Sequence, residues 1–410
     1  MKYPIYLEKI QSVLLVLIPF ALITGPFLPD LFVTIISIIF IIKCLSEKNI
    51  QYFNNIYFKY FLFFYFMCLT SSILSEYKLI SSIKSLFYLR FGLFSLAVWY
   101  LLKNNRKLIN YIFLSLLFCF FILIFDGLFQ FLFKTNIIGL EKHPTRLSSF
   151  FGEELIYGSY LSRFLPILIG LFFFSNYSQK KINIYISIIF IIFSITLIYL
   201  SGERTAFFLT VMSIIYLVVM INKYSRYFLI ASILSFFVLA TITANNPIVK
   251  ERMINLTKNQ IGLSNIYVFS SDIYIGHFLI AKDLFQENII LGVGPKNYVK
   301  HCNNNKKYQT LPYVCSTHPH NTYIQLLAET GLIGFLTILF LFLTLTFQSI
   351  KYIYLKLWRK EELFNFSEIC LLSSMLITVW PIVTSGSFFN NYLNIIYFFP
   401  VGIFIWSREN

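Results

Sequence analysis

The chain has 410 residues, of which 58% are hydrophobic, 20% aromatic and only 12% charged. Soluble globular chains carry about 25% charged residues, so this composition excludes an ordinary soluble enzyme. The formal charge of +15 does not indicate nucleic acid as a partner, because Lys and Arg sit mostly in short connectors between apolar runs.

Those runs have the length of bilayer-spanning helices, roughly 17–25 residues. Spanning segments must satisfy their own backbone hydrogen bonds, which predicts an all-α polytopic membrane protein. The first run, Ser12 to Pro29, lacks a small-residue cleavage site and reads as a span rather than a signal peptide. About twelve spans are expected. Their approximate limits are 11–29, 31–45, 60–75, 86–102, 109–133, 155–175, 182–200, 205–221, 227–244, 322–349, 367–384 and 390–406.

Orientation follows from the positive-inside rule. Alternate connectors carry Lys2 and Lys9; Lys43, Lys48 and Lys59; Lys103, Arg106 and Lys107; Lys180 and Lys181; Lys223 and Arg226; and Lys351, Lys356, Arg359 and Lys360. The opposite short connectors carry fewer. Both termini are therefore expected to be cytoplasmic, with residues 1–244 holding spans one to nine and 322–410 the last three. The long loop 245–321 falls on the periplasmic face. Within it, 272–287 reads as an amphipathic helix, since Ile273, His277, Ile280, Ala281 and Leu284 recur at helical spacing. "LGVGP" (Leu291 to Pro295) ends that helix as a turn.

Cys44, Cys68, Cys119 and Cys370 lie in or beside spans and read as small packing residues. Cys302 and Cys315 lie in the outer loop, where an oxidising periplasm permits a disulfide. Two free thiols are the alternative; a zinc site using His301 or His318 fits no usual ligand spacing.

The sequence holds no phosphate-cradling glycine loop, GxSxG elbow or HExxH. No DxD-like carboxylate pair falls on an outer loop. Neither cofactor nor metal is expected. Polar residues near the outer face remain. In "THPHNTYIQLLAETGLIGF", Asn321 is placed to cap the tenth span. Gln325 and Glu329 follow at four-residue steps, and Ala328, Gly331 and Gly334 offer a small surface for close packing. A helix N-terminus lowers the pKa of a nearby histidine, so His320 is expected neutral near pH 7 and able to accept a proton. His318 reads as a neighbour that shapes the turn or contacts substrate. In "YLSGERTAF", Arg204 reads as an anion clamp or an interfacial anchor. In "RLSSFFGEELIYGSYLSRFLP", Arg146 and Arg163 join the polar set; Arg163 either binds substrate or pairs with Asp126, with Arg90 a further candidate for the cluster. Buried charges in a membrane are functional or paired. Arginines with a neutral histidine suit displacement of a lipid pyrophosphate, which needs positive charge at the leaving group and a base on the acceptor.

These residues resemble the bacterial O-antigen ligase and polymerase superfamily. The ligase pattern is His, then Asn, Ser or Gln, nine residues, Gly, two residues, and Gly, Thr or Tyr. Here it reads His320, Asn321, nine residues, Gly331, Leu332, Ile333 and Gly334. The resemblance implies a GT-C-like, metal-independent enzyme of the inner membrane. Its donor would be a glycan on undecaprenyl pyrophosphate. Its acceptor would be a lipid A–core sugar hydroxyl for a ligase, or another carrier-linked glycan for a polymerase. His320 would be the base and Arg204 would bind pyrophosphate. Family ligases often carry an Arg and a Trp on the loop helix, where Tyr274 and Phe278 stand here; His277, Arg252 and Arg146 are the candidate replacements. The sequence thus points to an O-antigen ligase, with a polymerase next and a transporter or flippase of lipid-linked sugars as the reading from another class.

Overall fold

The computed structural model describes residues 5–175, 177, 181–261, 272–309 and 315–409. Their regular secondary structure is helical, apart from one isolated β-bridge between Thr135 and Glu141. The bundle comprises α1 (Ile5–Ala21), α2 (Phe27–Glu47), α3 (Ile56–Leu74), α4 (Lys78–Asn104), α5 (Leu108–Phe133), α6 (Tyr157–Phe174), α7 (Lys181–Leu200), α8 (Arg204–Met220) and α9 (Ser225–Asn245). In the long loop lie α10 (Asp272–Glu287) and α11 (Tyr298–Asn304). The chain then returns through α12 (Thr322–Tyr354), α13 (Phe366–Thr378) and α14 (Asn391–Glu409). Among the described residues, 8 helices are long and apolar enough to cross a membrane, and Arg204–Met220 and Phe366–Thr378 are shorter apolar helices. The protein is a multi-pass membrane protein.

Burial separates inner from outer helices. The apolar stretches of α6 and α4 are 83% and 78% buried, whereas that of α9 is only 17% buried, so α9 keeps most of its apolar surface outward, as lipid contact requires. The inner helices meet through small residues, the packing mode that works where lipid offers no hydrophobic drive. A Cβ on Gly402 of α14 would lie 2.4 Å from the Ser95 carbonyl of α4, and one on Gly170 of α6 would lie 3.0 Å from Cys370 Cβ of α13.

Two boundaries differ from the sequence expectation. The first turn lies earlier, at 22–26, where Gly25 takes φ +119°; Pro29 sits in the first turn of α2, where proline is tolerated. The helix of the eleventh expected span, α13, stops at Thr378, short of 384. Pro381 disfavours helix at the residue before it, and 379–390 continues as a non-helical strap.

The largest departure is inside α12. Gly331 has φ 61°, ψ −163°, breaking the helix, so it does not serve as a helix-packing glycine. A broken helix frees backbone groups that are costly to leave unpaired. The turn after α10 supplies their partners. Val293 N donates to Ala328 O and Gly294 N to Glu329 O, both at 2.9 Å, while Leu332 N donates to Ile289 O at 2.8 Å. Gly292 (φ +68°) permits this approach, since a Cβ there would lie 2.5 Å from the Glu329 carbonyl carbon. Ser71 of α3 closes the junction by donating to Leu291 O at 2.6 Å. Ile280, Ala281 and Leu284 of α10 and Ala328 of α12 belong to one small core with Val293, Tyr298 and Tyr308. Cys302 of α11 and Cys315 are disulfide-bonded with Cα atoms 5.5 Å apart. The other cysteines, Cys44, Cys68, Cys119 and Cys370, are free and buried.

Candidate active site

The start of α12 and the strap form one hydrogen-bonded unit. Asn321 caps the helix, its Oδ1 accepting from Tyr323 N at 3.0 Å and Ile324 N at 3.1 Å. Its Nδ2 donates to the strap carbonyls of Pro381 at 2.9 Å and Val383 at 3.0 Å. Ser385 N donates to His320 O at 2.9 Å, and Ser385 Oγ lies 2.9 Å from Thr322 Oγ1. His318 Nε2 lies 3.1 Å from Ser385 O and its Nδ1 2.9 Å from Thr317 Oγ1. A carbonyl only accepts, so Nε2 carries the proton and Nδ1 accepts from the threonine. His320 itself takes φ 55°, a left-handed backbone rare outside glycine and concentrated at functional sites.

Three imidazoles meet here. The His320 ring lies 4.3 Å from that of His318 and 5.2 Å from that of His277 on α10, centroid to centroid. Burial, then repulsion from His320, pushes the His318 pKa down to about 4. Burial, then His277, lowers that of His320. Its direction is the one expected from a helix terminus, but desolvation and a second imidazole cause it.

Below this lies the polar stripe. Gln325 Nε2 donates to Glu329 Oε2 at 2.8 Å and to Ser387 Oγ at 3.0 Å, while its Oε1 accepts from Phe388 N at 2.8 Å. Glu329 Oε1 accepts from Tyr298 N at 3.2 Å. Lys296 Nζ donates to Ser387 Oγ at 3.0 Å, and burial lowers its pKa. Gln325 and Glu329 thus bind α12 to the long loop and the strap.

The arginines gather at the tight turn before α8. Glu203 accepts from Gly158 N at 2.6 Å and Ser159 N at 3.1 Å, capping α6. Burial raises its pKa, opposed by Ser159, Arg146 and Arg163 among others. Arg252 Nε donates to Gly202 O at 3.1 Å. A Cβ on Gly202 would lie 3.1 Å from Arg146 Cγ and 3.4 Å from Arg252 Cγ, so both arginines flank the turn. Arg146 Nη2 donates to Leu155 O at 3.0 Å, and burial lowers its pKa. Arg163, 5% exposed, turns back to Ser159 O at 3.4 Å. Arg204 opens α8, and the next residue, Thr205, bonds through Oγ1 to Thr384 Oγ1 of the strap. Consecutive strap residues, Thr384 and Ser385, therefore touch the arginine turn and the histidine loop.

The Asp126–Arg163 pair does not form. Asp126 accepts from Ile137 N and Ser149 Oγ, ordering the loop between α5 and α6. Arg90 pairs with Asp30 of α2 and stands apart from the cluster. Tyr274 lies on α10, but its side chain is outside the described residues. Sequence reasoning missed the strap, Lys296 and Glu203. Pro381 and Gly386 were the available signals for the strap; nothing local marks the other two.

Among the described residues, no group of three or more His, Cys, Asp and Glu side chains is arranged to hold a metal. No curated protein matches the chain. Residues 188–339 match a family model described as O-Antigen ligase; the matched stretch runs from α7 past the break in α12 and takes in the arginine turn, the long loop and the His320–Gly334 motif. Over those residues the chain is similar to the O-antigen ligase family.

Proposed function

We propose that the protein is an O-antigen ligase, transferring a glycan from undecaprenyl pyrophosphate to a sugar hydroxyl of lipid A–core. The observation that carries this is the strap that joins a neutral histidine at Ser385 to an arginine cluster at Thr384. In the proposed step His320 removes the proton from the acceptor hydroxyl while its oxygen attacks the anomeric carbon. The bond from that carbon to the pyrophosphate oxygen breaks, and undecaprenyl pyrophosphate leaves with the electron pair. Arg204, Arg146 and Arg163 bind and stabilise the growing negative charge. Asn321 and His318 hold the base in place, and Gln325 and Glu329 brace the helix behind it. Asp126 supports the set at a distance through the loop that carries Arg146. The proposed setting is the bacterial inner membrane, with both termini cytoplasmic and the site facing the periplasm, where the Cys302–Cys315 disulfide persists.

A polymerase joining carrier-linked glycans is the second reading, favoured by Tyr274 standing where ligases often carry an arginine. Loss of a ligase leaves long glycan on the carrier and none on the core, whereas loss of a polymerase leaves single repeats on the core; a lipopolysaccharide gel of a deletion strain separates them. Complementation with His320→Ala tests the chemistry. Normal transfer by that variant would sink both enzyme readings and favour a transporter of lipid-linked sugars, which needs no base.

A further inference from the structure

A cavity of about 220 Å³ lies at the end of the bundle opposite the histidine loop. Leu165, Leu168, Ile169 and Phe172 of α6 form its buried floor, and α5, α7 and the start of α9 form its walls. Leu114 of α5 and Ile186 of α7 line it while 40% and 56% exposed, so it opens sideways, toward lipid. An apolar cavity excludes water, and one of about 150 Å³ already takes a benzene ring. Hydrocarbon is the filling that suits this space.

Length and polarity give the direction of entry. From Leu165 to Phe173, α6 rises about 12 Å, as does α7 from Asn183 to Ile191. One leaflet has a hydrocarbon depth of about 15 Å, half that of the bilayer. The cavity therefore matches a chain from a single leaflet. Its polar lining collects near the helix ends, at Tyr177, Asn183, Tyr224 and Tyr227. Asn183 Nδ2 donates to Tyr177 O at 2.6 Å. The Phe113 ring lies 5.7 Å from that of Tyr177, and the Phe173 ring 4.7 Å from that of Tyr224. Tyrosines at the rim and aliphatic side chains beneath suit a lipid entering from headgroup level.

Charge at the rim selects the headgroup. Lys223 Nζ stands 5.4 Å from the centre of the Tyr224 ring, and the Arg226 guanidinium 4.9 Å from that of Tyr227. Arg226 Nη2 also donates to Tyr227 OH at 3.1 Å. Two cations thus sit on two rings that line the cavity. Other connectors at this end carry acids: Glu47 follows α2, and Glu361 and Glu362 follow α12. The segments that join the helices around the cavity, 104–107, 175–181 and 221–227, contain Arg106, Lys107, Lys180, Lys181, Lys223 and Arg226 and no Asp or Glu. The ion pairs of this end, Lys43–Glu47, Lys103–Glu409 and Arg408–Glu368, form elsewhere.

We propose that the cavity binds one acyl chain of an anionic phospholipid, whose phosphate is held by Lys223 and Arg226. In the proposed orientation this lipid belongs to the cytoplasmic leaflet, where anionic headgroups attract cations beside the membrane. The site is separate from the transfer site and stands whether or not His320 is the base.

The full chain, delipidated in detergent, is titrated with phosphatidylglycerol and with phosphatidylethanolamine of the same chains, and bound lipid is counted by native mass spectrometry. The expected result is one phosphatidylglycerol held at least about tenfold more tightly than phosphatidylethanolamine. The surface variant Lys223→Gln/Arg226→Gln should lower phosphatidylglycerol to the affinity of phosphatidylethanolamine. Ser187→Trp, which fills the cavity from α7, should remove the tight site, with its melting temperature checking that it is folded. Equal affinity for the two headgroups in the wild type overturns the proposal, as does an undiminished preference in the double variant. Displacement of phosphatidylglycerol by inorganic phosphate would overturn it by showing a site for the phosphate alone. Displacement by an equal amount of undecaprenyl phosphate would overturn it by assigning the cavity to the tail of the carrier.

Discussion

The amide of Gly294 donates to the carbonyl of Glu329 at 2.9 Å, and this bond forms because the helix carrying Glu329 breaks two residues later at Gly331. One glycine turn repairs the break made by another. The long loop is thereby anchored inside the bundle, its α10 reaches His320, and the first turns of α12 are free to take their own direction beside the strap.

Gly331→Ala is therefore expected to damage the site. Its φ of +61° disfavours any side chain, and the new Cβ would lie 2.4 Å from the Ile290 carbonyl. Backbone cannot yield as a side chain can, so a loss of about 3 kcal/mol or more is expected. Gly334→Ala should cost less, because its nearest contacts are side-chain atoms of Thr330 and Met67. Thermal unfolding of the two detergent-solubilised variants checks the order.

Stability should also fall in mild acid. Burial holds the folded His318 pKa at about 4 against an ordinary 6.5, and His320 is lowered too. Above about pH 6.5 both folded and unfolded chains leave these rings neutral, so they impose no slope. Between about 6.5 and 4 the unfolded chain binds protons that the folded one refuses, and stability drops as pH falls. The His318 contribution is on the order of 3 kcal/mol over that window. Melting temperature against pH should slope there in the wild type and flatten in His318→Asn.

Much of the bundle was legible because a spanning helix is a local object: length and apolarity mark it without knowledge of its neighbours. Asn321 as a cap was legible for the same reason. The break at Gly331 was not, since a glycine in an apolar run reads equally as a packing surface. What decides is the turn at 289–294, some forty residues earlier, and no periodicity records such a pairing. The strap was hidden by its own apolarity. "VWPIV" looks like more helix, and only Pro381 argued otherwise. Asp126 and Arg163 were expected at similar depth, but depth says nothing of the direction around each helix. Asp126 faces the α5–α6 loop and Arg163 faces the α8 turn.

The Cys302–Cys315 bond closes a short loop, with a sequence separation of 13. Removing it with Cys302→Ser is expected to cost about 3 kcal/mol. The damage should concentrate in α10 and α11, whose small core includes Cys302. In protein purified without reductant, mass spectrometry should find both cysteines protected from alkylation before unfolding and linked after it. Alkylation of both in the unreduced, unfolded chain would refute the bond.

Asn321 does two jobs with two different atoms, and substitution can part them. Its carbonyl oxygen accepts from Tyr323 N and Ile324 N, and its amide nitrogen donates to Pro381 O and Val383 O. Asn321→Asp keeps the acceptor and improves the cap, since a carboxylate suits a helix N-terminus. It removes both donors and sets negative charge against two strap carbonyls. Asn321→Ala removes everything and leaves the two amides without their cap. If only the cap matters, Asp should behave as wild type and Ala should lose about 1 kcal/mol. If the strap sets the place of His320 relative to the arginine turn, Asp should melt near the wild-type temperature yet transfer glycan at least about tenfold more slowly. The second outcome is expected, because Ser385, two residues beyond Val383, holds the His320 carbonyl. Melting and transfer assays on the two variants decide it, and wild-type transfer by Asn321→Asp would show that the strap contributes cover rather than position.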